Sequence, residues 1–208
     1  MATVGSKGSP IEMAVLGIVW KQEPCTPYSV MRELSGSASA FIRSKAGTVY
    51  PLVSRLVKAG LLAYEEGDKG SKGDRNLKIT EVGLEKIRTW LASPIPREDI
   101  THTVDLIRMR SGYLGALQPE DREQFVDRSL AGLRDHLRTC EQRELHYLGQ
   151  GDAFGALGVR EMIHETRARI AWLEEERHAI MTLPAGKPAG KTSSPRSRRS
   201  GKASSLVD

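Results

Sequence analysis

The chain has 208 residues, 39% of them apolar and 27% charged, with a formal net charge of +5 at pH 7. That length and apolar content suit one large or two small folded domains and exclude a chain that is disordered throughout. Cys25 and Cys140 lie too far apart for a disulfide framework or a clustered metal-ligand pattern, which fits a reducing cytoplasm. The longest nearly unbroken apolar run, Met13 to Trp20, is too short to cross a bilayer, and no export signal is visible.

The charge is unevenly placed. Residues 184–208 hold six Lys or Arg against Asp208 alone, which accounts for the whole excess. Of the rest, residues 1–92 carry 13 basic and 9 acidic groups and residues 93–183 carry 12 and 16. A basic half joined to an acidic half suggests contact with an anionic partner at one end and a different task at the other.

After a small, polar stretch at 1–10, Ile11, Ala14, Val15, Ile18 and Val19 form the apolar stripe of a first helix. Thr26 is a helix N-cap followed by Pro27 at the first helical position, with Tyr28, Met31 and Leu34 as the inner stripe and Gly36 as the stop. A third helix begins near 46–48, with Pro51 in its first turn or just past it. Val49, Leu52, Val53, Leu56 and Val57 follow i, i+3, i+4, i+7, i+8 spacing and face a core. The opposite face carries Thr48, Ser54, Arg55 and Lys58, with Lys45 at the entrance. No carboxylate occurs between Glu33 and Glu65, so an anion approaching this helix is expected to meet positive charge and the positive dipole end.

After Gly60 the pattern alternates, with Leu62 and Tyr64 in phase, a Gly-, Lys- and Asp-rich tip, then Leu77 and Ile79 in phase, as in a β-hairpin. Thr80 caps a fourth helix with Leu84, Ile87 and Leu91 inward, which ends at the Pro-containing stretch 93–96. Trp20 and Trp90 are expected to hold these helices together. Three helices, a two-stranded wing and a closing helix make a winged helix-turn-helix domain over 11–93.

Everything strongly patterned beyond is helical, at about 99–117, 119–148 and 154–183, so the fold class is mostly α with a small β-hairpin wing. Val126, Leu130, Leu133, Leu137 and Cys140 alternate four- and three-residue steps, as do Val159, Ile163, Thr166, Ile170, Leu173, Arg177 and Ile180. Periodicity leaves two packings open, an intrachain bundle or a seam between two copies. The second is preferred, which makes 94–183 a helical dimerisation domain with Val159, Ile163, Ile170, Leu173 and Ile180 at the interface. The stretch 184–208 lacks any apolar period and reads as a basic disordered tail, either solubilising or in weak phosphate contact.

The strings Gly47-Thr48-Val49-Tyr50-Pro51-Leu52, Gly60-Leu61-Leu62 and Ile79-Thr80-Glu81-Val82-Gly83, with Met13 to Trp20 ahead of them, resemble the PadR family of bacterial transcriptional regulators over about residues 11–92. Ala46 replaces a common proline, and Asn76 and Leu77 replace aromatic residues of the second wing strand. The resemblance implies a homodimeric repressor whose third helices enter major grooves of an inverted-repeat operator, in some members until an aromatic or lipophilic effector binds. It places Thr48, Tyr50, Pro51 and Arg55 on the groove-facing helix and Lys69, Lys72 and Arg75 where the wing meets phosphate.

Arg55 is the candidate base reader, because a guanidinium holds guanine through two hydrogen bonds. Lys45, Lys58, Lys69 and Lys72 are candidates for phosphates, which position without reading. Tyr50 has two readings, a backbone contact through its hydroxyl or packing under the wing, and Thr48 has a second one as a helix cap. Tyr113, Phe125, Tyr147, Phe154 and Trp172 are candidate walls of an effector pocket, with core packing as the competing reading. His136 and Cys140 share a helix face, but two ligands without a third make a poor zinc site. No catalytic triad, phosphate loop or paired carboxylate is recognisable, so neither an enzyme nor a cofactor is expected. The alternative function is a winged-helix adaptor that joins a protein complex without reading DNA sequence.

Overall fold

The computed structural model describes residues 9–39, 42–43, 46–65, 75–97 and 105–186. Helix α1 spans Pro10–Gln22, α2 Pro27–Ser35 and α3 Ala46–Lys58, followed by strands β1 Leu62–Tyr64 and β2 Leu77–Ile79 and helix α4 Glu81–Ala92. A short helix α5, Leu106–Ser111, and a 3-10 turn at Leu114–Ala116 lead to two long helices, α6 Pro119–Gly149 and α7 Ala153–Thr182. Of the helix expected over 99–117, residues 98–104 lie outside the described residues, and the described part consists of α5 and the 3-10 turn. Among the described residues, no helix is long and apolar enough to cross a membrane.

Local chemistry fixes the element ends. Ser9 and Glu12 form a reciprocal capping box at the start of α1. The Thr26 hydroxyl accepts the Ser29 amide, and the Thr80 hydroxyl accepts the Gly83 amide, so both expected caps are present. At the end of α3, Gly60 takes φ +71°. Its amide donates to the Val57 carbonyl while the Leu61 amide donates to the Leu56 carbonyl, a Schellman stop that turns the chain into β1. The Thr80 hydroxyl reaches back to the Gly60 carbonyl at 2.7 Å, which ties the start of α4 to that same turn. Gly83 lies so close to it that an added Cβ would sit 2.1 Å from the Leu61 carbonyl oxygen.

The wing strands are antiparallel, with Leu62 opposite Ile79 and Tyr64 opposite Leu77. Cys25 and Leu77 exchange both backbone hydrogen bonds, so the segment before α2 adds a one-residue bridge to the sheet. Behind the wing one core gathers Met13, Val15, Leu16 and Val19 of α1, Val30 and Leu34 of α2, Val49, Leu52, Val53 and Leu56 of α3, and Leu62, Leu77 and Ile87. Helix α1 buries more than the single stripe expected, because α2, α4 and β2 all pack on it. Tyr28 and Leu91, expected inward, are 54% and 68% exposed. In α2 the buried pair is Val30 and Leu34, so Tyr28 sits one step off that face. Trp20 and Trp90 are also about half exposed and do not clamp the helices.

Helices α6 and α7 fold back on each other through the turn at Gly151, whose φ is +72°. Val126, Leu130, Leu133 and Leu173 form one buried patch, and Cys140, Val159, Ile163 and Ala38 another. This corrects the preferred reading of the seam. Val159, Ile163 and Leu173 are buried inside one chain, and Ile170 and Ile180 pack against the first patch, so none of the five offers a free stripe to a second copy. Two heptad-patterned helices joined by a short turn satisfy each other before any partner arrives. Arg122, 1% exposed, closes the far end of the hairpin by donating to the Leu117, Ile180 and Leu183 carbonyls.

Candidate nucleic-acid interface

Helix α3 is divided as its sequence requires. Val49, Leu52, Val53 and Leu56 are buried, while Thr48, Pro51, Ser54, Arg55 and Lys58 are exposed and Tyr50 is half-buried. Thr48 lies inside the helix rather than at its cap position, since α3 starts at Ala46. Pro51 is the sixth helical residue, and the carbonyl its missing N–H leaves free belongs to the exposed first turn. The exposed side chains are thus anchored by a buried stripe that fixes the rotation of the whole helix.

The wing brings a second cation to the same half. Arg75 places its guanidinium 4.3 Å from the centre of the Tyr64 ring, in a cation–π stack. Among the described residues its buried Nε has no hydrogen-bond partner, and the guanidinium lies over the sheet. Lys78 lies 2.8 Å from Glu65 and is screened by it. The wing tip that carries Lys69 and Lys72, and Lys45 before α3, lie outside the described residues.

One feature of the α3 surface was not expected. The exposed face is not purely cationic, because Glu12 of α1 comes within 3.6 Å of the Arg55 guanidinium. Glu12 is fixed by the helix cap, where its carboxylate accepts the Ser9 amide at 3.0 Å. That backbone hydrogen bond is the main force holding its carboxyl below the usual range. The Ser9 hydroxyl and the Arg55 and Lys86 charges add to it, and together they outweigh burial. The Ser-x-x-Glu spacing of this cap is a local signal that sequence reasoning missed. The meeting of Glu12 with a residue 43 positions later has no local signal.

The aromatic residues expected to share an effector pocket are dispersed. Tyr113 and Phe154 are 75% and 82% exposed and Trp172 is at the surface. Phe125 lines a groove with Leu106, Ile107, Leu117 and Leu133, while Tyr147 lines a separate cleft of about 920 Å³ where α1 and α2 face the turn between α6 and α7. In that cleft Glu33 of α2 forms an ion pair with Arg143 and accepts the Tyr147 hydroxyl at 2.7 Å. Burial, with the neighbouring Glu33 carboxylate, pushes the Tyr147 phenol up. At its rim Lys21 reaches Asp152 at 2.6 Å. Burial tends to raise the Asp152 carboxyl, but the Lys21 ammonium and the Gly155 amide overcome it and hold the carboxyl below its ordinary value. His136 Nε2 lies 3.6 Å from Cys140 Sγ, and among the described residues no three candidate ligands come together for a metal.

Residues 15–89 match the Transcriptional regulator PadR-like family, and the chain carries that domain there. The fold is similar to that of Bacillus subtilis PadR in complex with operator DNA. The TM-score is 0.67 at 17% identity, over 82% of this chain and 98% of that one. The same protein in complex with p-coumaric acid gives 0.65 at 17% identity, again over 82% and 98%. The Vibrio cholerae virulence activator AphA gives 0.60 at 15% identity, over 82% of this chain and 95% of that one. At these identities the likeness establishes a shared fold. A comparison with curated protein sequences gives no match.

Proposed function

We propose that this chain is a transcriptional regulator, and that it acts as a sequence-specific repressor that binds an inverted-repeat operator as a homodimer. The observation that supports this most is the division of α3, with four apolar side chains buried and Thr48, Ser54, Arg55 and Lys58 exposed on the opposite face. Such a helix can lie in a major groove with Arg55 on a base edge and Lys58 on a phosphate. The complex of Bacillus subtilis PadR with operator DNA supports the same reading by analogy of fold. The test is binding to a set of duplexes. Arg55→Ala is expected to relax base preference at one position per half-site, and Lys58→Ala to weaken every sequence alike. Equal effects from the two would remove the assignment of roles.

With the hairpin seam filled, the dimer reading moves to the outer surface. Leu145, Leu148, Phe154 and Leu157 are between 49% and 82% exposed and cluster on both sides of the turn at Gly151, where a second copy would cover them. Phe154→Glu is expected to lower the dimer fraction in sedimentation, and an unchanged profile would reject this surface. The effector reading moves likewise to the Tyr147 cleft, where a small aromatic acid, the class of compound bound by the Bacillus subtilis protein, would take Arg143 from Glu33 or Lys21 from Asp152. Release of bound duplex by added p-coumarate, diminished in Arg143→Met, is the expected result. Insensitivity of the wild-type complex to that compound and to related phenolic acids would remove it.

A further inference from the structure

We infer that Glu12, a residue of α1 outside the groove-facing helix, is the positioning residue for Arg55 and through it sets base selectivity. The inference rests on the DNA-reading function proposed above. The Arg55 side chain is 66% exposed, and its Nη2 lies 3.6 Å from a Glu12 carboxylate oxygen that is itself only 18% exposed on its side chain. An exposed arginine on a long flexible stem samples many rotamers, and on DNA it can drop onto the nearest phosphate as readily as onto a base. A carboxylate anchored elsewhere restricts that choice.

Glu12 is anchored in this way. Its carboxylate accepts the Ser9 amide at 3.0 Å, and its own amide donates to the Ser9 hydroxyl at 3.4 Å. The anchor is therefore the N-terminal cap of a helix whose Met13, Val15, Leu16 and Val19 are in the core. The carboxylate approaches Nη2 alone. The guanidinium keeps its other N–H groups for a guanine edge, which needs two donors. The same negative charge repels phosphate, so Arg55 is held back from the sequence-independent contact while the reading contact stays open. The result is discrimination in place of raw affinity.

The pair is exposed on the arginine side, and such pairs contribute at most about a fivefold effect. The expected change is of that size. The experiment selects duplexes from a randomised pool with the full-length chain, then measures affinity for the selected duplex and for a scrambled one. Glu12→Gln retains a neutral acceptor for the Ser9 amide but removes the charge. It is expected to bind the scrambled duplex up to about fivefold more tightly and to lose part of the base preference at the position that Arg55→Ala abolishes. Ser9→Ala, which weakens the cap but leaves the carboxylate, is expected to keep that preference and so separates charge from helix stability. If Glu12→Gln selects with wild-type strength while Arg55→Ala loses the preference, the positioning role is overturned and the DNA-reading function stands. If Arg55→Ala also selects as wild type does, or wild type selects nothing, the DNA-reading assignment falls and takes the positioning role with it.

Discussion

The winged half buries side chains from four helices and both strands in a single cluster, and its ion pairs, such as Lys78 with Glu65 and Arg88 with Glu81, are peripheral. The α6–α7 hairpin buries two smaller patches and joins its flanks by charge. Arg134 meets Glu174 at 2.6 Å, Arg160 meets Glu144 at 2.7 Å, Arg167 meets Glu141 at 2.8 Å and Arg177 meets Asp127 at 2.8 Å. Both halves are built from amphipathic helices, but one converges on a centre and the other runs along a line. A convergent core fixes the rotation of α3, which a reading helix needs. A linear seam flanked by ion pairs leaves most of two long helices open to solvent and partners.

The difference can be broken at its strongest point first. Leu16 is fully buried at the centre of the winged half, and Leu16→Ala is expected to cost about 2–5 kcal/mol in denaturant unfolding. The loss should appear as earlier melting of the winged half. A cost below about 1 kcal/mol would mean that the core is less convergent than described. Gly83→Ala forces a Cβ against the Leu61 carbonyl at the junction of α3, β1 and α4. Overpacking of this kind is expected to cost about 1–3 kcal/mol and to weaken DNA binding, because the strained junction contains the stop of α3.

Acid acts on the link between the halves. Asp152, paired with Lys21, titrates below its ordinary value of 3.8 in the folded chain. Its contribution is therefore present above that value and is lost as the pH falls through the lower folded value. Acid unfolding of Asp152→Asn should lack that part of the pH dependence, while an unchanged profile would mean the pair contributes nothing. The smallest effect belongs to a single rung of the hairpin. Arg134→Ala is expected to cost about 0–1 kcal/mol and to become silent in high salt.

The sequence made the winged half legible because its signals are local. Thr26 and Thr80 announce helix starts, Gly60 marks a stop, and the stripe from Val49 to Leu56 is a period read over eight residues. What it concealed is tertiary. Heptad spacing in α6 and α7 specifies a seam but not whose helix fills it, and only the turn at Gly151 decides for the same chain. Tyr113, Phe125, Tyr147, Phe154 and Trp172 have the right chemistry for a pocket, yet Tyr113 lies before the long helices and the other four are spread along and around them. Glu12 and Arg55 are invisible as a pair because their proximity depends on how α1 crosses α3.

Recognition as proposed requires the exposed face of α3 to be a DNA surface. Titration of a duplex at several salt concentrations tests it most directly. For a groove-bound helix, log affinity is expected to fall linearly with log salt, by about 0.9 for each phosphate neutralised, and Lys58→Ala should reduce that slope by about one unit. A slope near zero, or one that Lys58→Ala leaves untouched, would contradict the assignment.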